Sequence, residues 1–135
     1  MPKTEAPTKS FAGNLAADLG IEVLECTREG VKARMPVTER LYQPMGIMHG
    51  GASLVLAETV ASMGGWFQVA EQGKVVVGME INANHLRQVR SGFVIAQGTP
   101  LHLGGSSQVW EVKIFDEADR LVCISRCTLA VLTPR

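Results

Sequence analysis

HGGASLVLAETVASMGGWFQVAE, residues 49–71, contains a twenty-one-residue apolar run, Gly50 to Ala70, whose only ionisable side chain is Glu58. Its length approaches that of a membrane span, but Glu58, four glycines, Ser53, Thr59, Ser62 and Gln68 make a buried central helix the better reading. An ionised Glu inside a core is costly unless another group pairs with it or a reaction uses it. Burial also tunes a carboxylate toward work as an acid, base or nucleophile. Glu58 is therefore expected to be buried and to do chemistry, the competing reading being a structural ion pair with Arg34 or Arg87.

The flanks on either side assign the rest of the fold. Residues 11–19 (FAGNLAADL) read as a short helix stopped by Gly20. Ile21 to Cys26 and Val31 to Val37 read as a hairpin turned at Arg28-Glu29-Gly30. Thr38 to His49, with Pro44 and Gly46, is a loop that feeds the helix, and a loop delivered onto a helix N-terminus suits a reactive site. Beyond the helix the composition turns to β in four stretches, 75–87, 92–104, 106–117 and 120–132, expected to form a meander of long strands. Val109, Glu111 and Lys113 alternate with Trp110, Val112 and Ile114, which predicts one wet and one dry sheet face. A long apolar helix followed by an antiparallel sheet able to wrap it is an α+β arrangement.

The whole chain sets outer bounds. Its 135 residues fit one domain, expected over 10–135 behind a loose tail at 1–9. Thirteen basic side chains balance thirteen acidic ones, so no broad charge favours nucleic acid or an anionic membrane. Cys26, Cys123 and Cys127 are odd in number and lack CxxC spacing, which fits reduced thiols in the cytoplasm. The N-terminus has no apolar signal-peptide core. His49, His85 and His102 lack close ligand spacing, so no metal is expected.

Several side chains near the helix start could carry chemistry. Glu58 and Ser62 are four residues apart and share a helix face, which would let Ser62 bond the carboxylate or a water beside it. His49 lies nine residues before Glu58, about 13 Å along the axis. If both act on one substrate, they should come from different subunits. Gly50-Gly51 places unpaired N–H groups and the positive dipole end where an oxyanion could form, although two glycines could equally serve only a tight turn. Gln43, in the loop before, is uninformative alone.

The segment YQPMGIMHGGASLVLAETVASMGGW (42–66) resembles the catalytic segment of the hotdog-fold acyl-CoA thioesterases. VVGMEINANHLR, PLHLG, QVWEVKIFDE and RLVCISRCTLAVL extend the resemblance over about residues 20 to 132. They point to the group that contains thioesterases of menaquinone and enterobactin synthesis. It implies a helix wrapped by a curved antiparallel sheet, dimers built on a continuous sheet, and commonly a dimer of dimers with sites shared between subunits.

The resemblance also implies roles. Gly50 N–H, with Gln43 nearby, would polarise the thioester carbonyl, and His49 would help position it. Glu58 of the opposing subunit would attack the carbonyl or activate water, with Ser62 orienting that water. CoA contacts would fall on Gly78, on His85, Leu86, Arg87, Gln88 and Arg90, and on His102, Leu103, Gly104, Gly105, Ser106 and Ser107. One departure stands out: relatives tend to carry a basic residue after PLHLG, where this chain has Gly105, Ser106 and Ser107. The implied reaction is Glu58-dependent hydrolysis of an acyl-CoA, expected to carry an aromatic acyl group, to free acid and CoA, without a metal or redox cofactor. The rival readings are release from a carrier-protein phosphopantetheine arm and a non-catalytic acyl-CoA binding module.

Overall fold

The computed structural model describes residues 14–135. The expected tail at 1–9 and the first residues of the expected helix at 11–19 lie outside that range. Within it, Asn14 caps the single-turn helix α1 (Leu15–Asp18), its side chain accepting from Ala17 N at 3.2 Å. Gly20 then turns the chain at a φ of 75°.

β1 (Glu22–Cys26) and β2 (Val31–Pro36) form the expected hairpin, closed by Thr27 N donating to Gly30 O at 2.9 Å. The loop that follows holds a 3-10 turn, Glu39–Leu41, and a pairing of Tyr42 with Met48 around Gly46. Helix α2 runs from Gly50 to Val69, within one residue of the apolar run. A further 3-10 turn, Ala70–Gln72, and Gly73 in the left-handed region redirect the chain. The remaining strands are β3 (Val75–His85), β4 (Phe93–Leu103), β5 (Ser107–Phe115) and β6 (Leu121–Leu132).

All pairings are antiparallel, in the order β1-β2-β4-β5-β6-β3. The expected four-strand meander needs correction here: β4, β5 and β6 do follow one another, but β3 pairs with β6 at the far edge. The reason is that β2 occupies the other side of β4, through pairs such as Ala33 with Ala96. The segment 86–92 therefore carries the chain across the sheet end from one side to the other. It is tied down by Leu86 N to Val122 O (2.7 Å), Met48 N to Val89 O (2.8 Å) and Val37 N to Gly92 O (2.8 Å).

Helix α2 packs on the dry face of this sheet in the hotdog arrangement that the resemblance implies. Leu56, Ala57, Val60 and Ala61 meet a sheet face built from Met35, Val94, Ala96, Trp110, Val112, Ile114 and Leu129, all fully buried or nearly so. The alternation in β5 holds: Trp110, Val112 and Ile114 are buried, while Lys113 is exposed. Gln108 joins the dry side. It accepts from Trp110 Nε1 at 2.8 Å and donates to Gly65 O at 3.2 Å, so no polar atom of the pair is stranded.

Close approach of helix and sheet depends on Gly64. A Cβ there would lie 2.5 Å from Trp110 Cη2 and 2.7 Å from Trp110 Cζ3. Trp110 is fully buried and bonded to Gln108, so it has little room to yield. We expect Gly64→Ala to destabilise the fold by about 2 kcal/mol, the overpacking outweighing the better helix propensity of Ala. Urea unfolding is the measurement, with Gly105→Ala as control because a Cβ at Gly105 meets nothing within 4 Å. An unchanged midpoint for Gly64→Ala would mean the indole can move aside.

Candidate active site at the start of the long helix

The N-terminus of α2 is organised by His49. Its Nδ1 accepts from Gly51 N at 2.7 Å, its carbonyl accepts from Ala52 N at 3.0 Å, and its own N–H donates to Leu41 O at 2.7 Å. The imidazole is thus the helix cap, and a neutral ring that accepts at Nδ1 carries its proton on Nε2. Gly51 N–H is thereby taken. Gly50 N–H has no acceptor among the described residues, so one amide at the positive end of the helix is open to a ligand.

His85, at the end of β3, packs directly on Gly50. Its Nε2 lies 2.8 Å from where a Gly50 Cβ would stand, and Cε1 lies at 3.1 Å. The missing side chain at Gly50 is therefore required first by His85. Gln43, expected near the Gly50 amide, is wound into its own turn: its side-chain oxygen accepts from Met45 N, its N–H donates to Ile47 O, and its carbonyl accepts from Gly46 N.

Glu58 differs from expectation in its burial. The carboxylate is exposed in the single chain, because its helix face points away from the sheet centre and toward β3. It rests against Gly78, where a Cβ would come within 2.7 Å of Oε1. The ion-pair reading for Glu58 fails. Arg34 pairs with Glu22 at 2.8 Å, and no ion pair to Glu58 exists among the described residues. Ser62 shares the face of Glu58 but makes no hydrogen bond with it, while Thr59 donates to Val55 O at 2.6 Å.

Burial, followed by the carboxylates of Glu58 and Glu80, pushes the Cys127 thiol up to about 11. That thiol, fully buried on β6, stays protonated at neutral pH and is no competing nucleophile. Burial likewise raises Cys123 and Cys26.

Gly50 and Glu58 lie eight residues apart on one helix, about 12 Å along its axis, and each is matched to a different part of β3. The expected CoA positions divide in the same way. His85, Leu86, Arg87, Gln88 and Arg90 stand at the His49 end. His102, Leu103, Gly104, Gly105, Ser106 and Ser107 form the β4–β5 turn at the other end, since Ser107 is level with Ala130 and, across β6, with Val77. Eight residues of strand separate His85 from that level, roughly 25 Å. One chain does not bring the two sets together.

Near the second set, a cavity of about 260 Å³ is bounded by Gln68, Gln72, Lys74, Gly104, Gly105 and Gln108, among others. Lys74 was not singled out from the sequence; it lines the same cavity as Gly104 and Gly105, at the turn that lacks the basic residue expected after PLHLG. No group of three or more metal-ligating side chains occurs among the described residues, and no helix there is long and apolar enough to cross a membrane.

The two edges of the sheet, β1 and β3, neither paired on its outer side among the described residues, are unlike. β1 is five residues long, carries Glu22 and Glu25, and is broken by a bulge between Val23 and Glu25. β3 offers eleven residues with no Lys, Arg or Pro and one carboxylate, Glu80.

Residues 45–123 match the family model of the thioesterase superfamily. The chain is 48% identical over 128 residues to a 1,4-dihydroxy-2-naphthoyl-CoA hydrolase of Escherichia coli, covering 95% of this chain and 93% of the relative. It is 46% identical over 123 residues to a proofreading thioesterase of Klebsiella pneumoniae, covering 91% and 89%. Among solved structures, a thioesterase of Haemophilus influenzae superposes with a TM-score of 0.89 at 46% identity, covering 93% of this chain and 87% of that one.

Proposed function

The chain belongs to the thioesterase superfamily and is a thioester hydrolase, and from that premise we propose that it cleaves acyl-CoA with an aromatic acyl group, using Glu58 and sites shared between two copies. The observation that carries this reading is the combination of a Gly50 amide and a Glu58 carboxylate, both without partners among the described residues and each lodged against β3. A thioester is activated enough that a polarised carbonyl and one carboxylate suffice. The Gly50 N–H takes the growing negative charge of the carbonyl oxygen. Glu58 either attacks the carbonyl carbon, giving an anhydride that water then opens, or removes a proton from the attacking water. By both routes the carbon–sulfur bond breaks, the thiolate of CoA leaves and takes up a proton, and the acid is released.

Two copies solve the spacing problem. Both edges carry a bulge, but the eleven-residue β3 with its one carboxylate invites pairing with another strand more than the five-residue, doubly acidic β1 does. Antiparallel pairing of two β3 strands about a two-fold axis near Ile81 and Asn82 brings Gly78 beside the partner's His85, within a residue of register. Glu58 then faces the partner's Gly50, and the β4–β5 turn faces the partner's Arg87. Leu54, Val55 and Trp66, which the sheet of their own chain leaves partly exposed, are covered in the same step. Doubling of this dimer to a tetramer is part of the reading. A CoA substrate and three free cysteines suit a reducing compartment, the cytoplasm.

Thiol release from a panel of aromatic and aliphatic CoA esters tests the substrate class. We expect benzoyl- and naphthoyl-type esters to be hydrolysed fastest. Equal rates across the panel would remove the aromatic preference. Activity only on carrier-bound acyl groups would replace CoA by a carrier-protein arm.

A further inference from the structure

We propose that Lys74 receives the diphosphate of CoA, taking the place of the basic residue that the β4–β5 turn lacks; this rests on the CoA-ester reading above. The side chain is half-buried at the entry to β3, and its ammonium makes no ion pair or hydrogen bond among the described residues. A partly desolvated cation without a counter-ion is a cost that a bound anion relieves. Lys74 lines the cavity of about 260 Å³ in which the other polar side chains, Gln68, Gln72 and Gln108, are neutral, so no carboxylate on its wall competes for the charge. Gly104 and Gly105 close that cavity from the turn. The N–H groups of Gly105 and Ser106 donate to nothing among the described residues, and a Cβ at Gly105 would meet nothing within 4 Å. An ammonium beside bare turn amides is a donor set that suits phosphate.

The place of Lys74 along β3 fits the length of the substrate. The reacting carbonyl sits beside Glu58, which rests on Gly78. Lys74 is four residues nearer the strand entry, roughly 13 Å away. The pantetheine chain, about thirteen bonds from sulfur to phosphorus, spans about 15 Å when nearly extended. Pairing of two β3 strands in the register given above also carries Lys74 level with the segment that holds the partner's Arg87 and the partner's Arg90. Both arginines are exposed and without ion pairs among the described residues. The diphosphate then lies between cations of the two chains, in a protein whose net charge attracts no anion from a distance.

A carrier-protein arm would bring a single phosphodiester to the same place. Free CoA separates the two sources, because it is held without any carrier.

The deciding experiment compares wild type, Lys74→Met and Lys74→Arg, with free CoA by titration calorimetry and with benzoyl-CoA and benzoyl-pantetheine in turnover. Met keeps the alkyl stem and removes the charge. We expect Lys74→Met to weaken CoA binding about tenfold and to raise KM for benzoyl-CoA to match, with kcat and the kinetics on benzoyl-pantetheine unchanged. Lys74→Arg should stay within about threefold of wild type, since a point charge suffices. Adding Ser106→Arg to Lys74→Met returns a cation to the turn and should restore most of the lost affinity. Unchanged CoA affinity in Lys74→Met, or equal losses on both esters, would overturn the assignment. So would a wild type that does not bind free CoA. A wild type that binds CoA but hydrolyses neither ester would end the hydrolysis reading, while the tenfold loss of CoA binding in Lys74→Met would still uphold this one.

Discussion

Glu58→Gln will lower turnover by about a thousandfold and leave the melting temperature where it is. The amide matches the carboxylate in size and helix propensity but can neither attack a carbonyl nor accept a proton from water. Stability should hold because Glu58 contributes no ion pair among the described residues and is exposed on the single chain. Among the described residues, its charge bears on the buried Cys127 thiol, which is already protonated. Thiol release and thermal unfolding on the same preparation make the comparison. Activity within tenfold of wild type would remove Glu58 from the mechanism, whereas a large fall in melting temperature would show that the carboxylate supports the fold.

The second large effect is recovery of activity from two inactive proteins. Glu58→Ala and His49→Asn are each expected to be inactive alone, and Asn is chosen because it can still cap α2 by accepting from Gly51 N–H. Gly50→Ala would be a poorer choice, since its methyl would strike His85. After subunit exchange, half the dimers are hybrids, and in each hybrid one site draws both intact residues. About a quarter of wild-type activity should return. If Glu58 and His49 of the same chain form a site, verified exchange will restore nothing.

The limits of α2 and the hairpin at 28–30 were legible because both are written in local composition: an unbroken apolar run, and Gly30 between two β segments. The position of β3 was not. Neighbours in sequence usually pair in space, but β2 had already taken the free side of β4, and no local pattern in residues 75–85 records that. The expectation that Glu58 is buried does not hold in the single chain. Its isolation in an apolar run marked it, but the run is apolar on faces that the chain's own sheet does not cover, so apolar surroundings in sequence did not mean burial in one chain.

The site divides similarly. His49 and Gly50 came from the helix start and are together in space. The cap made by His49 Nδ1, which leaves a single open amide, depends on a side-chain rotamer that no sequence pattern specifies. Gly78 was named for CoA by resemblance. In the structure it makes room for the Glu58 carboxylate, a relation across twenty residues that becomes visible only when β3 is laid beside the helix. Lys74 had no signal at all, being one charge at a strand entry.

The outer position of β3 has a consequence for the growing chain. β3 ends at His85, yet its strand neighbour among the described residues, β6, begins only at Leu121. During synthesis β3 and the apolar α2 emerge well before β6, and the sheet that holds them stays incomplete until β6 follows. An unpaired, weakly charged strand waiting beside the ribosome is a target for chaperones and for aggregation. β6 therefore acts as the closing clasp of the newborn fold, and deletion of Leu121–Leu132, which spares His49, Gly50 and Glu58, should still yield insoluble chains.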